Sequence, residues 1–319
     1  MGKILEDRGA YEQAIRTLNE AVTLESSSDV PQSELASSMS ELANSHYYAG
    51  HYKDSESLNK QVLAMQRELY GDRHPLIADT LINLGAIQLD LGHYPEAEQY
   101  DRQALDITLA WYGNDHPETA SALTILGRVL VSEGRTDEAT KLLQDALQIQ
   151  EKVYGKAHPR VASALNELGR TAKTQGKFKE AEAIFIRMTE IYRSVYGDNH
   201  YLIGISLSNL GSVYFDEGKF AEAENIFRDV VARFTKTLSA DHLNTAIARI
   251  KLGRALLRQK RFKDAEAESR TGYEILIKQA SPSLSWLQNA RTDLAEEYVS
   301  LRQPDLAAKF HAEIEAVKQ

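Results

Sequence analysis

The sequence predicts an all-α solenoid of antiparallel helix pairs, and three markers that recur at one spacing predict it. Tyr70-Gly-Asp-Arg-His-Pro75 returns as Tyr112-Gly-Asn-Asp-His-Pro117 and as Tyr154-Gly-Lys-Ala-His-Pro159. It weakens to Tyr196-Gly-Asp-Asn-His-Tyr201 and then to Leu238-Ser-Ala-Asp-His-Leu243, each copy 42 residues after the last. Leu84-Gly85, Leu126-Gly127, Leu168-Gly169, Leu210-Gly211, Leu252-Gly253 and Leu294-Ala295 keep the same step. The third marker, Gly-x-aromatic-x-acidic-Ala, stands at Gly92-His-Tyr-Pro-Glu-Ala97, Gly176-Lys-Phe-Lys-Glu-Ala181 and Gly218-Lys-Phe-Ala-Glu-Ala223. A fixed period of this length marks a repeat architecture, in which each unit buries its apolar face only against its neighbours.

Each period reads as two helices. In Ile77-Ala-x-x-Leu81-x-x-Leu84-Gly85-x-Ile87-x-x-x-Leu91 the apolar residues recur every three or four positions, and Gly92 stops the run. A second amphipathic run extends from Tyr94 to about Trp111 and ends at Tyr-Gly, where the glycine suits the left-handed residue after a helix. Pro75, Pro117 and Pro159 then open the next helix in its first turn. The small residues Gly85 and Ala97 let the two helix backbones approach closely. First helices are expected to begin near Ser33, Pro75, Pro117, Pro159, Tyr201, Leu243 and Leu284. A second-type helix stands alone before them, from Gly9-Ala-Tyr-Glu-Gln-Ala14 onward. Residues 1–32 are therefore expected to be a partial first repeat, and residues 33–319 seven helix-pair repeats of the same continuous array. Glu25-Ser-Ser-Ser-Asp-Val-Pro31 replaces the usual turn, but the 41-residue step from Gly9 to Gly50 keeps it inside the array. A helix pair cut in half leads to the expectation of a piece of a longer protein.

Composition narrows the function classes. The chain of 319 residues has no cysteine, which removes disulfides, thiol nucleophiles, iron–sulfur clusters and Cys-ligated zinc. Its formal charge is −9, so a phosphate backbone is a disfavoured partner. No stretch approaches the roughly 20 consecutive apolar residues that span a bilayer. A cytoplasmic protein that engages neither nucleic acid nor membrane is expected.

The paired helices, with Leu-Gly in the first and Gly-x-Tyr-x-x-Ala opening the second, resemble the tetratricopeptide repeat. The longer period and the Tyr-Gly-x-x-His-Pro turn resemble its kinesin-light-chain subtype, over essentially the whole chain. The resemblance implies a right-handed superhelix whose concave wall, lined by the first helices, holds a peptide of a partner. It also implies fusion, in many relatives, to kinase or nucleotide-switch domains. Two functions are therefore expected in order: a scaffold that binds another protein or peptide, or an intramolecular regulatory or sensor module of a larger signalling protein.

No catalytic set is expected, and no cofactor or metal. His74, His116, His158, His200 and His242 form a column. Helices packed ~8–10 Å apart hold such neighbours too far from one another for a shared ion, which needs ligands at ~2 Å. A turn role beside the proline is the expected one. The chain has no Gly-x-x-x-x-Gly-Lys, His-Glu-x-x-His or Gly-x-Ser-x-Gly motif. Ser57-Leu-Asn-Lys60 lies in the middle of an ordinary helix. Glu96, Glu138, Glu180 and Glu222 stand in first turns, where the helix dipole favours them. Trp111 and Trp286 are expected to pack, Trp286 covering an end of the array.

The face of the first helices varies while the packing positions repeat. Counted from the Leu-Gly glycine, offset +1 carries Asn44, Arg128, Arg170 and Arg254, and offset −2 carries Asn83, Asn209 and Lys251. Asn166 stands at −3, Lys173 and Phe215 at +4, and Arg258 at +5. These residues are the expected peptide-binding set, since cations gather on one face of an acidic chain and an asparagine amide both donates and accepts. Glu167 and Asp216 stand near enough to neutralise part of that charge. Of the family's two binding patterns, the chaperone-tail clamp keeps Asn44 and Asn83 but puts Ser40, Ser121 and Ile125 where cations are needed. The kinesin-light-chain pattern is met at Asn83, Asn166 and Asn209 and broken at Ile125 and Lys251. The resemblance therefore implies an acidic peptide as partner.

Overall fold

The computed structural model describes residues 11–279 and 284–316, apart from the Leu284 side chain. The Gly9-Ala10 opening of the partial repeat lies outside the described residues. Fifteen helices, with no strand among the described residues, follow in pairs. They are α1 (Tyr11–Ser26), α2 (Gln32–Tyr48), α3 (Tyr52–Tyr70), α4 (Pro75–Asp90), α5 (Tyr94–Tyr112), α6 (Pro117–Ser132) and α7 (Thr136–Tyr154). The rest are α8 (Pro159–Thr174), α9 (Phe178–Tyr196), α10 (Tyr201–Asp216), α11 (Phe220–Thr237), α12 (Leu243–Arg258), α13 (Phe262–Leu276), α14 (Leu284–Ser300) and α15 (Pro304–Ala316). The helices divide between two compact units, residues 1–153 and 154–319. Six first helices start where the sequence predicts, and α2 starts one residue earlier.

The repeated turn works through its glycine, its histidine and its tyrosine. Gly71, Gly113, Gly155 and Gly197 take φ of 74–81°, which allows the chain to leave the second helix without a Cβ clash. The histidine that follows caps the next helix. Nδ1 of His74, His116, His158, His200 and His242 accepts the backbone N–H of Leu76, Glu118, Arg160, Leu202 and Asn244 at 3.0–3.3 Å. An N-terminal turn has donors without an intrahelical partner, and the imidazole satisfies one of them. The tyrosine stacks on this ring, with centroids 4.3–4.6 Å apart at Tyr70–His74, Tyr112–His116, Tyr154–His158 and Tyr196–His200.

The Leu-Gly marker is a socket for the second helix. A Cβ on Gly127 would collide with Leu143, on Gly169 with Phe185, and on Gly211 with Phe227. These three knobs are at most 1% exposed. In the first unit the same socket at Gly85 receives Asp101, and in the second the socket at Gly253 receives Ser269. Close packing of this kind carries the stability of each hairpin. Within each unit the first helices also touch one another, α2–α4 and α4–α6 in one, α8–α10, α10–α12 and α12–α14 in the other. This places the variable positions side by side.

Candidate functional site

In the second unit six of the expected residues meet in one cleft of about 360 Å³. Arg170 and Lys173 enter it from α8, Asn209 and Phe215 from α10, and Lys251 and Arg254 from α12. Asp216 is the one carboxylate on its wall, and Trp286 of α14 closes the far side. Phe185 and Phe227 reach it from the second helices. The cleft thus offers four cations against one acid, over an aromatic floor.

Most of the charges have partners. Lys173 Nζ lies 2.6 Å from Asp216 Oδ2, and Arg170 Nη1 lies 3.4 Å from Glu167 Oε2. Arg254 Nε is 3.2 Å from Asp293 Oδ2, and the guanidinium stands over the Phe215 ring at 5.6 Å. Lys251 differs: its ammonium donates to Ser208 Oγ at 2.8 Å and has no carboxylate in ion-pair reach among the described residues. The Trp286 and Phe227 rings lie 5.5 and 5.9 Å from Nζ. Burial, with the nearby charges of Lys173 and Arg170, pulls its pKa down to about 7. Such a group holds its proton far better with an anion beside it.

The remaining expected residues are placed elsewhere. Asn166 and Asn209 bond to each other, Asn209 Nδ2 donating to Asn166 Oδ1 at 2.7 Å, and Asn166 donates in turn to Glu167. Their amides are thus partly engaged, and Asn209 alone of the two lines the cleft. Arg258 lies outside it and pairs with Glu296 at 3.4 Å. In the first unit Asn44 and Asn83 share a smaller cleft of about 240 Å³ between α2 and α4, with Ser40 and Thr80. Arg128, exposed on α6, belongs to that unit as well. Its charge opposes the effect of burial on Asp101, whose carboxyl is lifted to about 7.

Two features escaped the sequence reading. Trp286 packs on the core of the last repeats as expected but is also a wall of the charged cleft, whereas Trp111, expected to pack, is 55% exposed. At the corner of the first full repeat, His46, His51 and Asp54 bring three potential ligand atoms within 4.8 Å of one another. The spacing His46-x4-His51-x2-Asp54 was the available signal.

Stacked helix pairs with a varied face on their first helices define a helical-repeat protein. The chain belongs to the tetratricopeptide repeat family, whose model matches residues 34–110, 94–152, 118–194, 161–236 and 202–278. No curated protein sequence matches it significantly. Among solved structures it is similar to the nearly identical TPR-like repeats of a kinesin light chain from Podospora anserina, at 24% identity and TM-score 0.54. That match covers 64% of this chain and 97% of the other. It is also similar to the apo form of the quorum sensor NprR from B. thuringiensis, at 15% identity and TM-score 0.68, over 99% of this chain and 84% of that one. A third is a Rap protein complexed with competence and sporulation factor, at 16% identity and TM-score 0.63, over 99% and 95%. No described helix is long and apolar enough to cross a membrane.

Proposed function

We propose that this chain is a non-enzymatic scaffold that binds an acidic segment of a partner protein on the face of its first helices. One observation carries the reading: Arg170, Lys173, Lys251 and Arg254 converge on a single aromatic-floored cleft in an acidic chain. Charge-assisted hydrogen bonds in such a cleft are screened less than on an open surface. Phe215 and Trp286 offer a flat apolar surface to whatever flanks the acid. The repeats of residues 33–319 act in this reading as one array that holds the cleft in place, and a cysteine-free chain of this kind suits the cytoplasm. The solved relatives support the fold of such a receptor, and the Rap structure contains a bound factor. An intramolecular sensor would use the same cleft for a segment of its own polypeptide.

The experiment is an array of acidic, neutral and basic peptides probed with the wild type and with an Arg170→Glu/Arg254→Glu variant. Acidic peptides are expected to bind selectively, and the variant to lose at least tenfold in affinity with unchanged helicity by circular dichroism. Equal binding by both proteins moves the recognition surface away from this cleft.

A further inference from the structure

The corner between the two helices of a repeat has a recurring chemistry. In several repeats the residue that follows the left-handed position carries a base with a polar partner nearby. In the second full repeat His93 Nδ1 lies 2.9 Å from Gln88 Oε1. In the third, Arg135 takes the place of His93 and pairs with Glu138 and Glu98. In the sixth, Arg261 pairs with Asp264 and Glu224. In the third and sixth repeats one arginine is held among acids.

The first full repeat departs from it. His46 stands where the next repeat has Gln88, His51 takes the position of the base, and Asp54 keeps the acid. The two Nδ1 atoms are 3.3 Å apart, and His46 Nδ1 is 4.0 Å from Asp54 Oδ2. His46 is fixed by the wall of α2, its side chain 13% exposed. Two imidazole nitrogens facing each other need either a shared proton or a cation between them.

The ligand distance fits a cation. With metal–nitrogen bonds of ~2.0–2.1 Å, the edge of a tetrahedral zinc site is about 3.3–3.4 Å, the separation the histidine pair already has. Asp54 is largely exposed, and a side-chain rotation brings its carboxylate from within 4.8 Å of the two imidazole nitrogens to ligand distance. The outer shell is present too. His51 Nε2 faces Glu12 Oε1 of α1 at 3.5 Å, the carboxylate–imidazole arrangement that orients a ligating ring.

We propose that His46, His51 and Asp54 bind one divalent transition-metal ion of the zinc class, with water in the open position and Glu12 orienting His51. The ion clips α2 to α3 and, through Glu12, draws in α1. The site is independent of the acidic-peptide cleft, which lies in the other unit.

Zinc chloride titrated calorimetrically into metal-stripped, tag-free full-length chain tests this, with bound metal counted by elemental analysis after dialysis. One zinc per chain is expected, with the visible spectrum of a tetrahedral site when Co²⁺ is substituted. His46→Asn and His51→Asn should each weaken zinc at least tenfold, and Glu12→Gln about tenfold. His93→Asn, which alters the matching corner of the next repeat, should bind as the wild type does. Circular dichroism and melting without metal confirm that each variant folds. No stoichiometric zinc in the wild type, or equal zinc in a His46→Asn/His51→Asn double variant, overturns the site and leaves a simple hydrogen-bonded pair.

Discussion

Lys251 Nζ sits 2.8 Å from Ser208 Oγ and 5.5 Å from the Trp286 ring, with no carboxylate at ion-pair distance among the described residues. A desolvated ammonium without an ion-pair partner opposes folding while it is charged. Its folded pKa of about 7 is below the ordinary 10.5, so between these values the unfolded chain binds the extra proton. Stability therefore rises with pH across that window, and the penalty is complete below about 7. In a Trp111→Phe background, Trp286 fluorescence is expected to titrate near pH 7, and Lys251→Met to abolish the transition. The same variant should melt higher than wild type at pH 6 and gain less at pH 9. A flat fluorescence profile would show that the lysine is solvated or paired.

The hairpin socket gives a packing test. A methyl on Gly169 has no room beside Phe185, which is fully buried. Gly169→Ala is expected to cost about 1–3 kcal/mol, the range for overpacked cores, while Gly176→Ala acts through backbone strain instead. A Gly169→Ala/Phe185→Leu double variant should recover little, because a Cβ on Gly127 would collide with Leu143 in the same way. Melting curves of the three variants decide it.

Periodic features were legible in the sequence because each needs only local chemistry. The Tyr-Gly-x-x-His-Pro turn carries its own cap and its own left-handed residue, so the starts of α4, α6 and α8 follow from Pro75, Pro117 and Pro159. The basic face was legible for the same reason, as a stripe on successive first helices. The pairing of its members was not. Lys173 meets Asp216 and Asn166 meets Asn209, each 43 positions on, because neighbouring repeats are staggered by one residue at this face. The burial of Lys251 depends on Trp286 in the following repeat, and no offset within its own helix reveals that. His46 lies in α2 and His51 in the turn before α3, and a search along one helix face passes over the pair.

The histidine column is a set of caps, and that role has a measurable size. Nδ1 of His116 accepts from the Glu118 N–H at 3.2 Å. His116→Ala is expected to cost about 0.5–2 kcal/mol, as the loss of a capping side chain usually does. His116→Asn should cost less, since its carbonyl can accept the same N–H, though the stacking on Tyr112 is lost. Denaturant unfolding of both variants checks the order. An asparagine variant no more stable than the alanine variant would assign the role to stacking.

Asp101 is 1% exposed, fills the socket at Gly85 and leaves both carboxyl oxygens without a hydrogen bond. Burial lifts its pKa from 3.8 to about 7 against the pull of Arg128. Glu297 in the second unit is in the same position: burial carries it from 4.5 to about 8, although Ser269 Oγ donates to it at 2.8 Å. The sign follows from proton counting. Between the unfolded and folded values the native chain binds the extra proton, so stability falls as pH rises from about 4 to 8. Lys251 acts the other way, but only above about pH 7. The wild type is therefore expected to melt higher at pH 5 than at pH 8. The third repeat supplies the remedy, since Leu143 occupies the matching socket beside Gly127. Asp101→Leu should raise the melting temperature by several degrees at pH 8, where it removes a charge and buries a side chain in place of orphaned oxygens. At pH 5 the gain should be smaller, because the wild-type carboxyl is already protonated. Glu297→Gln, which keeps an acceptor for Ser269, should show the same pH-dependent gain without the added apolar burial. Equal gains at both pH values for Asp101→Leu would mean that packing alone is responsible and that the Asp101 carboxylate carries no burial penalty.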